Sequence, residues 1–173
     1  MASSSLHPLV VHFPVALLSV YAVAELIRFK RVTGQPYWFY VKAIALLVGC
    51  AGALVARQTG EAIEESLEAT GAQIPRLMEV HSNWSLIATW IFVVLAAAYV
   101  LAWIRRDGGS WGQKLEAAGD WAGKLVSSWL SAILALAGLA AITATGALGA
   151  ALVYGPGVDP AVNAIYRLLV GQP

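Results

Sequence analysis

The stretch "LHPLVVHFPVALLSVYAVAELI" (Leu6–Ile27) decides how the chain is read. It is an apolar run of the length that crosses a hydrocarbon core, which takes roughly 20 residues of helix. Two histidines, His7 and His12, and two prolines, Pro8 and Pro14, crowd its beginning. It has no basic n-region, its apolar part is too long for a signal peptide, and no small-residue cleavage pattern follows. It therefore reads as a span.

The composition agrees. Of 173 residues, 59% are apolar and 12% charged, and the mean hydropathy is +0.70. A soluble domain of this size carries about twice that charge. Three more stretches are long enough to span: about Val41–Arg57, Trp84–Ile104 and Trp129–Tyr154. The expected class is an all-α polytopic membrane protein with four transmembrane helices in a lipid bilayer. The one cysteine, Cys50, sits in an apolar run, which excludes a disulfide framework or a thiolate metal site. No C-x-x-C-H segment is present to attach a c-type haem. The net charge of +1 and the lack of a basic, aromatic-interleaved stripe give no sign of nucleic acid.

Basic residues orient the spans. Arg28, Lys30, Arg31 and Lys42 surround the first connection, and Arg105, Arg106, Lys114 and Lys124 the third, eight of the eleven Lys and Arg. The second connection carries Glu61, Glu64, Glu65, Glu68 and Glu79 against Arg57 and Arg76. Both termini and the acidic loop are thus expected outside, in a bacterial inner membrane. The second helix is expected to run past the bilayer to near Gly71, with Pro75 at the first position of the next. In the third connection, Leu115, Trp121 and Leu125, flanked by Lys114 and Lys124, form an amphipathic stretch for the inner interface. Trp38, Trp111, Trp121 and Trp129 read as inner interfacial anchors and Trp84 as an outer one. A short outer interfacial helix is expected over about 160–170.

An internal repeat is visible. Gly52 is followed seven residues on by Thr59-Gly60, and Gly138 likewise by Thr145-Gly146. Val11-His12 and Val80-His81 each precede a run that ends in a basic cluster. The chain therefore reads as one domain of two helical hairpins, about 6–71 and 75–155, related by an axis along the membrane normal. On this register His12 and His81 are equivalent. Counted from Pro8 and Pro75 as helix starts, they lie about 6 and 9 Å inside.

Two imidazoles meeting from opposite helices suit a six-coordinate haem iron. The predicted site is one b-type haem near the outer face, ligated by His12 and His81. Gly52 and Gly138 would make room for the macrocycle. Thr59-Gly60 and Thr145-Gly146 would lie at the histidines' level, and Arg57 and Arg76 would meet the propionates. His7, just before Pro8, is expected at the helix cap, about 140° around from His12, and is the weaker ligand candidate. Pro14 is expected to kink the helix. Taken alone, a histidine at a helix end more simply bonds a carbonyl or headgroup, and a Gly/Thr pattern more simply packs helices.

"LHPLVVHFPVALL", "ATGALGAALVYGPGV" and the "TGEA…VHSNW" region resemble a bacterial family of four-helix membrane domains, domain of unknown function 2231. Ser82 stands where the resemblance leads one to expect an acidic residue. The resemblance implies the four-helix topology and, through the redox domains such members accompany, electron transfer.

No nucleophile–base pair, phosphate loop or hydrolase motif is present, so an electron carrier is expected rather than a catalyst of substrate conversion. Its partners would be a periplasmic cytochrome or a quinone. The alternatives are a small transporter or metal-binding protein using His7, His12, His81 and Glu79, and a structural subunit or homodimer within a redox complex. For a transporter, the sequence offers no evident ionisable residue at mid-membrane.

Overall fold

In a computed structural model, residues 2–69, 71 and 75–171 are described, and every element among them is a helix. Four are long: α1 (Ala2–Leu26), α3 (Pro36–Ala69), α4 (Arg76–Asp107) and α7 (Trp129–Tyr154). Shorter ones connect or follow them: α2 (Lys30–Thr33), α5 (Ser110–Lys114), α6 (Glu116–Ser127) and α8 (Pro160–Leu169). α3, α4 and α7 are long and apolar enough to cross a membrane, and α1 carries the shorter apolar stretch Val10–Leu26.

The boundaries follow local chemistry. Gly71 takes a left-handed φ of 74° just beyond α3, as its place in the sequence suggests; Thr70 and residues 72–74 of that connection lie outside the described residues. Pro75 is the N-cap of α4 rather than its first residue. Asp159 caps α8 by accepting from the backbone N–H groups of Ala161 and Val162.

One expectation is corrected at the start. α1 begins at Ala2, not at Pro8, so His7 lies inside the helix. A proline near a helix end costs a hydrogen bond, but neighbouring helices in an apolar bundle hold the backbone in place.

The helices pair as two antiparallel hairpins, α1 with α3 and α4 with α7, closed into a ring by α3 on α4 and α1 on α7. Glycines let each pair approach closely. A Cβ at Gly49 would lie 2.7 Å from Leu18 Cδ2, and one at Gly138 only 2.6 Å from Phe92 Cζ.

These contacts fix the register of the internal repeat. A shift of 74 residues, the separation of Glu25 from Tyr99, carries Leu18 onto Phe92 and His7 onto His81. The same shift carries the buried α1 residues Pro14, Leu18, Tyr21, Ala22, Ala24 and Glu25 onto Ala88, Phe92, Leu95, Ala96, Ala98 and Tyr99, all buried on α4. On the partner helices Gly49 matches Gly138, Gly60 matches Gly149, and Lys42 matches Ser131. In packing the two hairpins match at this register, which differs from the Gly…Thr-Gly alignment by nearly a helical turn. His7, not His12, is the counterpart of His81.

The connection α5–α6 folds against the end of α4. Gly119 comes so close that a Cβ there would lie 2.4 Å from Arg105 Cβ. Arg105 also pairs with Asp120 at 2.8 Å and Glu116 at 3.1 Å. The face buried is Gly119, Ala122 and Val126, while Trp121 stays exposed.

Gly138→Ala should therefore destabilise the protein by about 1–3 kcal/mol through overpacking. Gly49→Ala, whose Cβ would meet Leu18 at 2.7 Å, should cost a similar amount. Thermal melting of the two variants in detergent checks this; a loss at one position only would contradict the shared register.

Candidate functional site

Two polar centres sit near opposite ends of the bundle, separated by about 27 Å of α1 at 1.5 Å per residue. The first is built on histidines. His7 Nδ1 lies 2.8 Å from Thr59 Oγ1, and that hydroxyl donates to the Ala56 carbonyl at 2.8 Å. With its proton so used, Thr59 can only accept from His7. His81 Nδ1 lies 3.0 Å from the Thr145 carbonyl, which is solely an acceptor. Both imidazoles thus hold their proton on Nδ1 and keep the lone pair on Nε2. A histidine prepared as a metal ligand has this arrangement, one nitrogen donating to a fixed acceptor and the other left basic.

Each ring also rests on a glycine of the partner helix. His7 Cε1 lies 3.3 Å from the position of a Cβ at Gly60, and His81 Cε1 lies 3.3 Å from one at Gly149. His12, by contrast, is exposed on the outer surface of α1. The helix turns it away from His7 by about 140°, and it is His7 and His81 whose Nδ1 atoms meet acceptors on the partner helices.

The other predicted positions divide. Thr59 contributes its hydroxyl, and Thr145 its carbonyl, because the Thr145 hydroxyl bonds back to Ala141 at 2.8 Å. Gly60 lies under His7, but Gly146 has no neighbour among the described residues within 4 Å of a built Cβ. The space beside Gly52 is taken by Phe13 and Pro14, and that beside Gly138 by Phe92. Those two glycines pack helices. Arg57 forms an ion pair with Glu61, one turn on, and Arg76 is exposed at the start of α4. Glu79 is exposed too. Among the described residues no group of three or more His, Cys, Asp or Glu side chains is placed to hold a metal ion.

The second centre was not foreseen. Glu25 is fully buried. Its Oε2 accepts from Tyr99 at 2.7 Å and pairs with Lys42 Nζ at 3.0 Å. Its Oε1 meets Ser131 Oγ at 2.8 Å and Arg28 at 3.3 Å. Every long helix contributes: α1 gives Glu25, α3 Lys42, α4 Tyr99 and α7 Ser131. Arg28, which follows α1, also donates to the Ser127 and Ser128 carbonyls at 3.2 and 2.8 Å, and its guanidinium lies over Trp129. Nothing in the hydropathy pattern singles out Glu25, since it sits beside the basic cluster that ends the span. The signal lay in the repeat register, which sets Glu25 against Tyr99 and Lys42 against Ser131.

A family profile described as a predicted membrane protein (DUF2231) matches residues 3–161. The chain belongs to this family. The match takes in both hairpins, so the histidine pair and the Glu25 network both lie inside the DUF2231 region. No curated protein and no solved structure matches the chain.

Removing one partner of a buried ion pair strands the other charge, at about 3–5 kcal/mol. Glu25→Ala and Lys42→Met should each show a loss on that scale, and the double change Glu25→Gln/Lys42→Met should recover much of it. Denaturation in mild detergent is the readout. Single losses below about 1 kcal/mol, the range of exposed pairs, would show the network to be incidental.

Proposed function

We propose that this protein is a membrane-embedded b-type cytochrome module with His7 and His81 as the axial ligands of one haem. The observation that supports this is the matched preparation of the two imidazoles: each Nδ1–H is held by the partner helix, and each Nε2 keeps its lone pair. Two related hairpins supply one imidazole each, matching a ligand with two axial positions.

The donor count favours haem over a bare metal ion. A zinc site takes three or four protein ligands. With no third donor grouped with the histidines among the described residues, and with Glu79 exposed, the metal-binding alternative lacks ligands. A haem needs only two, because the porphyrin supplies the other four. Its iron would supply one-electron transfer, while the chain supplies ligation and imidazole orientation. Because Phe13, Pro14 and Phe92 fill the space at Gly52 and Gly138, the group belongs at the level of Gly60 and Gly149.

The reading includes a topology. All four long helices cross the membrane, and both termini lie outside. The basic connections α1–α3 and α4–α7 and the acidic connection α3–α4 support that orientation. The haem would then face the outer side of a bacterial inner membrane. Suitable partners are a periplasmic cytochrome or a quinone, met by the protein alone or as a subunit of a redox complex.

Protein purified from haem-replete cells should be red and show a low-spin haem spectrum that sharpens on dithionite reduction. His7→Ala and His81→Ala should each abolish the low-spin signature, whereas His12→Ala should keep it. Thr59→Val, which removes the acceptor of His7, should weaken haem retention by about 10–100-fold. A colourless preparation with no extractable haem would refute the proposal, and loss of the signature in His12→Ala alone would restore the other ligand pair.

A further inference from the structure

The end of the bundle opposite the histidines contains a cavity of about 530 Å³. Three cations line it, Arg28, Lys42 and Arg106, together with the aromatic side chains of Trp38, Phe39 and Tyr99. The carboxylates nearby offset this charge only in part. Glu25 is buried with Lys42 and Arg28, and Asp107 comes no closer than 4.0 Å to Arg106 Nε. Asp107 also accepts from Tyr40 at 2.6 Å. Arg106 lies over the Tyr40 and Phe39 rings at 5.2 and 5.6 Å, which holds its planar group in place.

A second observation points to a ligand. Arg28 Nε and Trp38 Nε1, both on cavity-lining residues, are buried and find no acceptor among the described residues. Buried donors are nearly always paired, so an orphan N–H marks a place where an acceptor belongs. The other Arg28 nitrogens are engaged, with Glu25, Ser131 and two backbone carbonyls. Its Nε is therefore spare, not merely undirected. Two spare donors, an excess of positive charge and flat apolar walls call for one kind of occupant.

We infer that this cavity binds a phosphate-bearing group, its oxygens taking the Arg28 Nε–H and Trp38 Nε1–H and its charge facing Arg106 and Lys42. Guanidinium groups suit phosphate because the charge and the donor directions match. The group can arrive as an anionic lipid headgroup or as free phosphate. The inference is independent of the haem reading, because it uses no residue of the histidine end.

Two variants test it without touching the acceptors of the Glu25 network: Arg106→Gln and Trp38→Phe, the second keeping a ring and deleting the N–H. Wild type and variants would be placed in nanodiscs of phosphatidylcholine with or without phosphatidylglycerol. Thermal stability would be measured there, and inorganic phosphate would be titrated in detergent. Wild type should be stabilised by phosphatidylglycerol, or should bind phosphate saturably. Arg106→Gln should weaken that binding roughly tenfold or more and Trp38→Phe about three- to tenfold, as expected for a charged and a neutral hydrogen bond. Phosphatidylglycerol preference without phosphate binding assigns the headgroup, and phosphate binding without lipid preference assigns the free anion. Indifference to both probes, or binding unchanged in both variants, overturns the inference.

Discussion

The structure depends on one carboxylate. Glu25 has no exposed surface, and an isolated charge in such a place would be prohibitive. It is tolerated because Lys42, Tyr99 and Ser131 reach it from three other helices and Arg28 from just beyond its own. A hydrophobic bundle in lipid has little to fix which way its helices rotate, since lipid tails are as apolar as leucine. A buried carboxylate with partners on every long helix supplies that constraint. Rotating or sliding any one of them would strand a donor or an acceptor in an apolar interior.

The repeat explains how such a network can arise from two similar hairpins. Had the halves stayed identical, Glu25 would face a second glutamate and Lys42 a second lysine near the axis, and like charges at short range in low dielectric repel strongly. The chain instead carries Tyr99 and Ser131 at those positions. Both donate a hydroxyl to Glu25, so two potential repulsions are replaced by two hydrogen bonds. Packing shows a milder version of the same divergence. Leu18 fills the space at Gly49, and the larger Phe92 fills the one at Gly138. The Glu25 end has lost its symmetry because charge cannot be duplicated there.

Much of this was legible from hydropathy and loop charge: the helical class, the long apolar segments, the extension of α3 to Ala69, close to Gly71, and the terminal helix α8. The candidate site was legible only in part. His81, Thr59, Gly60 and Thr145 were named and lie at the histidine end, but His7 was ranked below His12 because Pro8 reads locally as a helix start. Tertiary packing overrode that rule. The Gly…Thr-Gly alignment differs from the packing register because a three-residue pattern carries no packing information; at the packing register Thr59-Gly60 falls on Leu148-Gly149. Burial does: the match of six buried α1 positions to six on α4 admits one register. Glu25, Lys42, Tyr99 and Ser131 were invisible to residue-by-residue reading, since each is unremarkable until its partner helix is known.

The contrast between the two ends bears on what each is for. Symmetry is broken around Glu25, yet it is kept at His7 and His81, where each ring lies on a glycine and each Nδ1–H is bound by the partner helix. Neutral imidazoles can face one another without the penalty that two carboxylates would meet, so electrostatics does not require this pair to diverge. It does not require the pair to be kept, either. Two apolar residues would pack a helix end more cheaply than two part-buried rings with a basic nitrogen each. A pair of equivalent donors, held in the same tautomer by different acceptors, is what a single ligand with two equivalent coordination positions would demand. On that argument the asymmetric end ties the four long helices together, and the proposed haem gives the symmetric end a reason to stay symmetric.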